Sequence, residues 1–152
     1  KKYEEDNDDY SSIMIKAICD RFAEAFAEYL HKEIRTKHWG YSSNEKTSNE
    51  DLIKEKYDGI RPAPGYPACP DHLEKKTIWK LLSVKERIGV KLTESLAMWP
   101  AASVSGYYFG NKKAKYFGIG KIDKDQMTDY SKRRGISFKE AVKWLNPIYN
   151  DV

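Results

Sequence analysis

The sequence predicts an α+β fold, an antiparallel sheet with a long N-terminal helix and flanking helices, and three observations carry that prediction. Ile15, Ile18, Phe22, Ala25, Phe26, Tyr29 and Leu30 recur at helical spacing, which predicts one helix from residue 13 to about residue 38. Residues 103–122 instead form two extended, aromatic-rich runs around Gly110-Asn111-Lys112-Lys113, the pattern of a hairpin. Helical and extended stretches are segregated along the chain instead of alternating, which separates this pattern from a parallel βαβ fold.

The elements follow in order. Ser11 or Ser12 can cap the long helix and Gly40 stops it. Ser48, with Asp51 three residues on, opens a short helix through about Tyr57 that Gly59 ends. Pro62, Pro64, Pro67 and Pro70 then exclude a helix or a central strand, because each lacks an N–H and restricts its predecessor. Ile60, Tyr66 and Cys69 make this a stiff loop that packs against the domain. Asp71 caps a helix to about Leu82, and Ser83 starts a further turn that Gly89 closes. A strand lies within Lys91–Met98, and Ser103–Phe109 and Ala114–Ile122 are the hairpin strands. Asp123 caps a helix ending at Gly135, and Ser137 with Glu140 opens a last one through Leu145. A lone hairpin is marginal in water, so its aromatic strands must pack on the long helix, on other helices or on chain outside this sequence.

The 152 residues suit one domain, and the formal net charge is +4. No run approaches about 18 apolar residues and no signal peptide opens the chain, so no membrane association is expected. Two cysteines, Cys19 and Cys69, make neither a disulfide framework nor a zinc site, and a reducing, cytoplasmic setting is expected. The chain opens on Lys1, not Met, inside an acidic stretch, as a fragment would. Residues 111–143 carry ten bases against four acids, including Lys112, Lys113, Lys115, Lys132, Arg133 and Arg134. That stretch is either a patch for an acidic partner or a pair of solvated faces. No Gly-rich phosphate loop, zinc finger or RNA-recognition signature accompanies it, so nucleic acid is not the expected partner.

Catalytic and metal-ligating residues are not found. His31 and His38 lie seven apart on one helix, about two turns distant, too far for one metal ion, and read as helix-surface or helix-end residues. His72 sits in no nucleophile or metal signature. Cys69 has no histidine or lysine immediately beside it and reads as a small apolar residue.

The segment from Arg61 through Ala63 to Gly65 and Tyr66 has a different character. A stiff loop presents a guanidinium that can grip a carboxylate, a glycine that admits close approach to the backbone, and an aromatic ring. These suit a small ligand with a carboxylate and an aromatic base, although a purely structural crossover would use the same prolines. Tyr116 and Phe117 point to opposite faces of their strand, so at most one can line a site by its ring. Asp20, Glu24 and Glu28 form an acidic stripe on the long helix, a repulsive arrangement that is either solvated or suited to a cationic or imidazole-bearing partner.

Several blocks, in order along nearly the whole chain, carry a family resemblance. They are Ala23-Glu-Ala-Phe-Ala-Glu-Tyr-Leu-His31, Trp39-Gly-Tyr41, Gly59-Ile-Arg-Pro-Ala-Pro-Gly-Tyr-Pro-Ala-Cys-Pro70, Lys91-Leu-Thr-Glu-Ser-Leu-Ala-Met-Trp-Pro100, Ala102-Ser-Val-Ser-Gly-Tyr107, and Tyr116-Phe117 followed by Asp125-Gln126. The sequence resembles the C-terminal activation domain of cobalamin-dependent methionine synthase. The resemblance implies an S-adenosylmethionine-binding module for reductive remethylation of cob(II)alamin, within an enzyme that transfers a methyl group from methyltetrahydrofolate to homocysteine. It places the family's binding motif on Arg61, Ala63, Gly65 and Tyr66 and its later aromatic pair on Tyr116 and Phe117. It places the acidic contacts to the cobalamin module on Asp20 and Glu24. The implied partners are the cobalamin-binding domain and a flavodoxin or similar reductase, with zinc only in a distant domain of the whole enzyme. Methyl transfer from a sulfonium needs no protein nucleophile, which fits the missing triad. The family's domain is about twice this length, so residues 1–152 are expected to be its C-terminal portion, with the N-terminal half absent and the fragment inactive alone. The alternative is a docking module for the same partners without a competent ligand site.

Overall fold

The computed structural model of the chain describes residues 2–150. Helices α1 (Lys2–Glu5), α2 (Asp9–Glu33), α3 (Asn49–Ile53), α4 (Glu74–Leu82) and α5 (Val84–Ile88) precede a small sheet of β1 (Lys91–Leu92) and β2 (Met98–Trp99). Helices α6 (Lys124–Arg134) and α7 (Phe138–Leu145) follow. The α+β class therefore holds. Among the described residues no helix is long and apolar enough to cross a membrane.

Asp8, not Ser11 or Ser12, caps α2, accepting from the Ser11 amide at 3.0 Å. The aspartate also sits favourably at the positive end of the helix dipole, which extends the helix upstream of the predicted start. At its far end α2 runs into a π-helical turn, Ile34–His38, where the Trp39 amide reaches back five residues to the Ile34 carbonyl at 3.0 Å. The capping box read at Ser48/Asp51 forms, Asp123 caps its helix in a further box with Gln126, and Ser137 accepts from the Glu140 amide. The predicted helix through Tyr57 stops at Ile53. Asp71 lies before α4 instead of at its cap: one oxygen accepts from the Leu73 amide at 2.7 Å and the other from Tyr130.

The hairpin predicted over 103–122 does not form. Its turn does, with the Ala114 amide on the Asn111 carbonyl at 2.9 Å, but the two flanks pair elsewhere. Tyr107 donates to the Pro62 carbonyl at 2.9 Å, and Ile60 and Phe109 exchange two bonds at 3.2 and 3.0 Å. On the other flank the Ile119 amide reaches the Pro67 carbonyl at 3.3 Å. The cause is chemical: proline removes a donor and keeps an acceptor, so the loop offers carbonyls to both passing segments. Gly106 makes this possible, because a Cβ there would lie 2.7 Å from the Pro62 oxygen. The regular antiparallel pair is instead Lys91–Trp99 and Leu92–Met98, both inside or beside the segment read as a single strand.

The best-packed apolar cluster is C-terminal. Ile122, Met127, Ala141 and Leu145 are buried, with Tyr130, Phe138, Val142 and Ile148 around them. Arg134 ties this cluster to the start of α4 through Glu74 and Asp71. It is therefore turned inward, and the basic stretch loses one of its six named cations.

The long helix carries a surprise of orientation. Ala27, His31 and, just beyond the helix, Arg35 face the domain, while Phe22 and Phe26 are 73% and 61% exposed. The apolar stripe that defines the helix in the sequence thus faces outward.

Candidate functional site

A cleft of about 1060 Å³ opens between α2, the proline-rich loop, α4 and the segment 102–108. Arg61, Ala63, Gly65, Tyr66, Tyr116 and Phe117 all line it, as does Glu24. Asp20 does not; both it and Glu24 are exposed and, among the described residues, neither has an ion-pair partner.

Local chemistry explains why the loop holds this shape. The Gly65 amide donates to the Cys69 carbonyl at 2.7 Å, and Cys69 returns a bond to Tyr66 at 2.9 Å. Gly65 has φ +99°, and a Cβ there would lie 2.2 Å from His72 Cε1. The imidazole occupies the space that a side chain would need. Gly65→Ala is therefore expected to destabilise the chain by about 1–3 kcal/mol, combining left-handed backbone strain with displacement of His72. Thermal denaturation measures this, and an unchanged midpoint would show that the loop relaxes freely.

Both aromatic segments bond to the loop, Tyr107 at Pro62 and Ile119 at Pro67. Tyr116 accepts from the Arg61 amide through its hydroxyl at 3.0 Å, a bridge across 55 positions of sequence. Tyr66 and Phe117 leave 63% and 62% of their surfaces exposed, so both rings are available to a planar group. Lys75 is buried in the wall, its ammonium on the Leu96 carbonyl at 3.0 Å, and burial holds its pKa below the ordinary value. The Ser105 hydroxyl, also in the wall, is a buried polar atom without a partner among the described residues.

Arg61 departs from its expected role of a free fork. Its Nη2 pairs with Glu28 Oε2 at 2.7 Å, and its Nη1 donates to the Tyr57 hydroxyl at 2.9 Å and to His31 Nδ1 at 3.4 Å. Glu28 consequently leaves the acidic stripe: the cation that relieves the helix repulsion there is Arg61.

His31, read as a helix-surface or helix-end residue, is 0% exposed. It stacks on Tyr108 with centroids 5.0 Å apart and meets Tyr57 edge-on at 5.2 Å. Burial first, then Arg35 and Arg61, push its pKa down to about 4, so the ring is neutral at physiological pH. Beneath it Arg35, also 0% exposed, forks onto Glu45 at 2.7 and 2.8 Å and stacks over Tyr57 at 3.7 Å. The sequence did hold a signal for this layer. Glu28, His31 and Arg35 recur at three- and four-residue spacing on the face shared with Ala27, a second stripe hidden by the more obvious apolar one. Nothing in the sequence singles out Ser105.

Among the described residues no group of three or more His, Cys, Asp or Glu side chains could hold a metal ion. Burial and the nearby Glu74 and Asp71 raise the Cys69 pKa, which keeps the sulfur a thiol and a poor nucleophile. What the cleft can do is bind: it offers planar rings, backbone groups, a buried ammonium and a guanidinium.

The family described as "Vitamin B12 dependent methionine synthase, activation domain" matches residues 1–135. The chain belongs to this family. The resemblance read from the proline-rich block and its companions is borne out. A solved structure described as "Crystal Structure of the MetH Reactivation Domain bound to AdoHcy" is 56% identical, with a TM-score of 0.96. The match covers 99% of this chain and 46% of that one, so the activation-domain chain described here spans less than half of that relative's length. The α+β architecture, with its small antiparallel pair and long helix, is thus that of the MetH reactivation domain.

Proposed function

We propose that this activation-domain chain binds S-adenosylmethionine in the cleft and presents its methyl group for reductive remethylation of cobalamin in methionine synthase. The observation that carries the reading is the convergence of Arg61, Ala63, Gly65, Tyr66, Tyr116 and Phe117 on one cleft, from segments far apart in sequence. Arg61 supplies charge for the ligand's carboxylate, the backbone around Ala63 and Gly65 receives its polar edge, and the exposed rings cover the nucleoside. Cobalamin, carried by a neighbouring domain, supplies the nucleophile that takes the methyl group. The residues of this chain only hold and orient the donor. The relative bound to AdoHcy, the demethylated product of such a donor, supports this choice of ligand.

The remaining length of the MetH relative suggests what covers the outward stripe of α2. We assign Phe22 and Phe26 to packing against the rest of the activation domain, with residues 1–152 as its C-terminal portion. Two unpaired cysteines, one of them exposed, suit the reducing cytoplasm in which such an enzyme would work.

Calorimetric titration of the full-length protein with S-adenosylmethionine tests the proposal. Saturable heat of one-to-one stoichiometry is expected, and its absence would overturn it in favour of the docking reading. The Arg61–Glu28 ion pair is the observation that favours docking alone, since the pair occupies part of the guanidinium.

Asp20 and Glu24 are proposed to face the cobalamin-binding domain, and a flavodoxin-type reductase is proposed to supply the electron. Asp20→Asn is expected to slow reactivation about two- to fivefold, the worth of an exposed ion pair, while ligand affinity stays unchanged. Equal loss of both would contradict the interdomain role.

A further inference from the structure

The layer under the cleft has a consequence for Arg61 beyond its own contact with a ligand. An arginine side chain carries about 2 kcal/mol of rotamer entropy, and a single ion pair fixes only one of its nitrogens. Glu28 holds Nη2, and with no other contact the guanidinium plane could still swing about that point. Nη1 is the second anchor, shared by the Tyr57 hydroxyl at 2.9 Å and by His31 at 3.4 Å, whose ring cannot itself reach solvent.

We propose that His31 is a positioning residue, its Nδ1 accepting from Arg61 and orienting the guanidinium for the carboxylate of the bound ligand. The inference rests on the proposed contact between Arg61 and that carboxylate. The ring's own chemistry fixes its role. Arginine is only a donor, so Nδ1 must be the acceptor and the proton must lie on Nε2. Nε2 faces the Tyr41 hydroxyl at 3.5 Å, and that hydroxyl donates onward to the Asp58 carbonyl at 3.4 Å. Tyr57 and Tyr108 hold the ring from two further sides, so it has no freedom to turn its acceptor away. The charged groups nearby reinforce this state: Arg35 and Arg61 oppose a third cation, and Glu45, the one group that favours it, is taken up by Arg35. A neutral acceptor thus stands beside a guanidinium, inside a stack of tyrosines.

The discriminating probes differ only in the amino-acid tail. S-adenosylhomocysteine carries the carboxylate and 5′-methylthioadenosine lacks it. In the full-length protein, His31→Phe keeps an aromatic ring in the stack and removes the acceptor. It is expected to weaken S-adenosylhomocysteine about tenfold and methylthioadenosine less than about twofold. His31→Gln, which restores an acceptor, is expected to stay within about threefold of the parent for both. In an Arg61→Ala background His31→Phe should add no further loss. Equal losses for the two ligands, or additive losses in the double variant, overturn the proposal and leave a structural role. If Arg61→Ala leaves S-adenosylhomocysteine binding intact, the carboxylate contact itself fails. If Arg61→Ala weakens binding and a folded His31→Phe does not, only the positioning role fails. A measurement without substitution at His31 covers a Phe variant that does not fold. The imidazole nitrogen resonances should show an unprotonated Nδ1 that shifts in Arg61→Ala, and an unmoved signal overturns the inference.

Discussion

Arg61→Ala is expected to lower the affinity for S-adenosylmethionine roughly 30- to 100-fold, the largest effect on binding of any single substitution in the cleft. A hydrogen bond to a charged group contributes about 1.5–3 kcal/mol, and each 1.4 kcal/mol is tenfold in affinity. The ion pair with Glu28 keeps the figure from being larger, because the guanidinium is already partly neutralised before a ligand arrives. Titration calorimetry measures the loss, and a thermal melt of the same sample separates it from misfolding. Arg61→Lys should fall between, keeping the charge and losing the fork. A folded Arg61→Ala protein with unchanged affinity would remove the guanidinium from the site.

Glu45→Ala is expected to have the largest effect on stability, a loss of about 3–5 kcal/mol. Removing one member of a buried pair strands the other, and Arg35 is 0% exposed with two short bonds to this carboxylate. For a domain of this size the thermal midpoint should fall by roughly 6–20 °C. The effect also has a pH signature. Hydrogen bonds from Arg35 are the first cause holding the Glu45 pKa below its ordinary value, with burial opposing. A depressed folded pKa means that the stabilisation is complete above the unfolded value near 4.5 and is lost as pH falls through the folded one. Glu45→Gln should flatten that part of the stability profile. Replacing both partners by apolar residues of similar size, Arg35→Met with Glu45→Leu, should be milder than Glu45→Ala alone. A midpoint unchanged in Glu45→Ala would show that Arg35 finds water or another anion.

Much of this was legible from the sequence, and what was missed has physical reasons. Capping at Ser48, Asp123 and Ser137 is local chemistry, readable over three or four residues, and these helices start where expected. The loop was readable for the same reason, since proline acts on its own neighbours. Strand partners were not: alternation of side chains around a turn says that a segment is extended, not what it pairs with. Pro62 and Pro67 outbid the local hairpin with carbonyls that no nearby residue could satisfy. The residues proposed for the site were found by type, but the occupied state of Arg61 depends on Glu28 and Tyr57, which no motif links to it. The buried face of α2 was masked because its members are charged or polar. Charge is ordinarily a mark of solvent, and Arg35 and His31 reverse it only through partners distant in sequence.

The capture of proline carbonyls by two later stretches of chain also sets a timetable. The loop leaves the ribosome early, yet its acceptors at Pro62 and Pro67 stay unclaimed until Tyr107 and Ile119 have been synthesised. Until then the nucleotide-sized hollow has neither its second wall nor its aromatic rim. Contacts of such long range are slow to close, so the cleft is among the last parts of the fold to be completed.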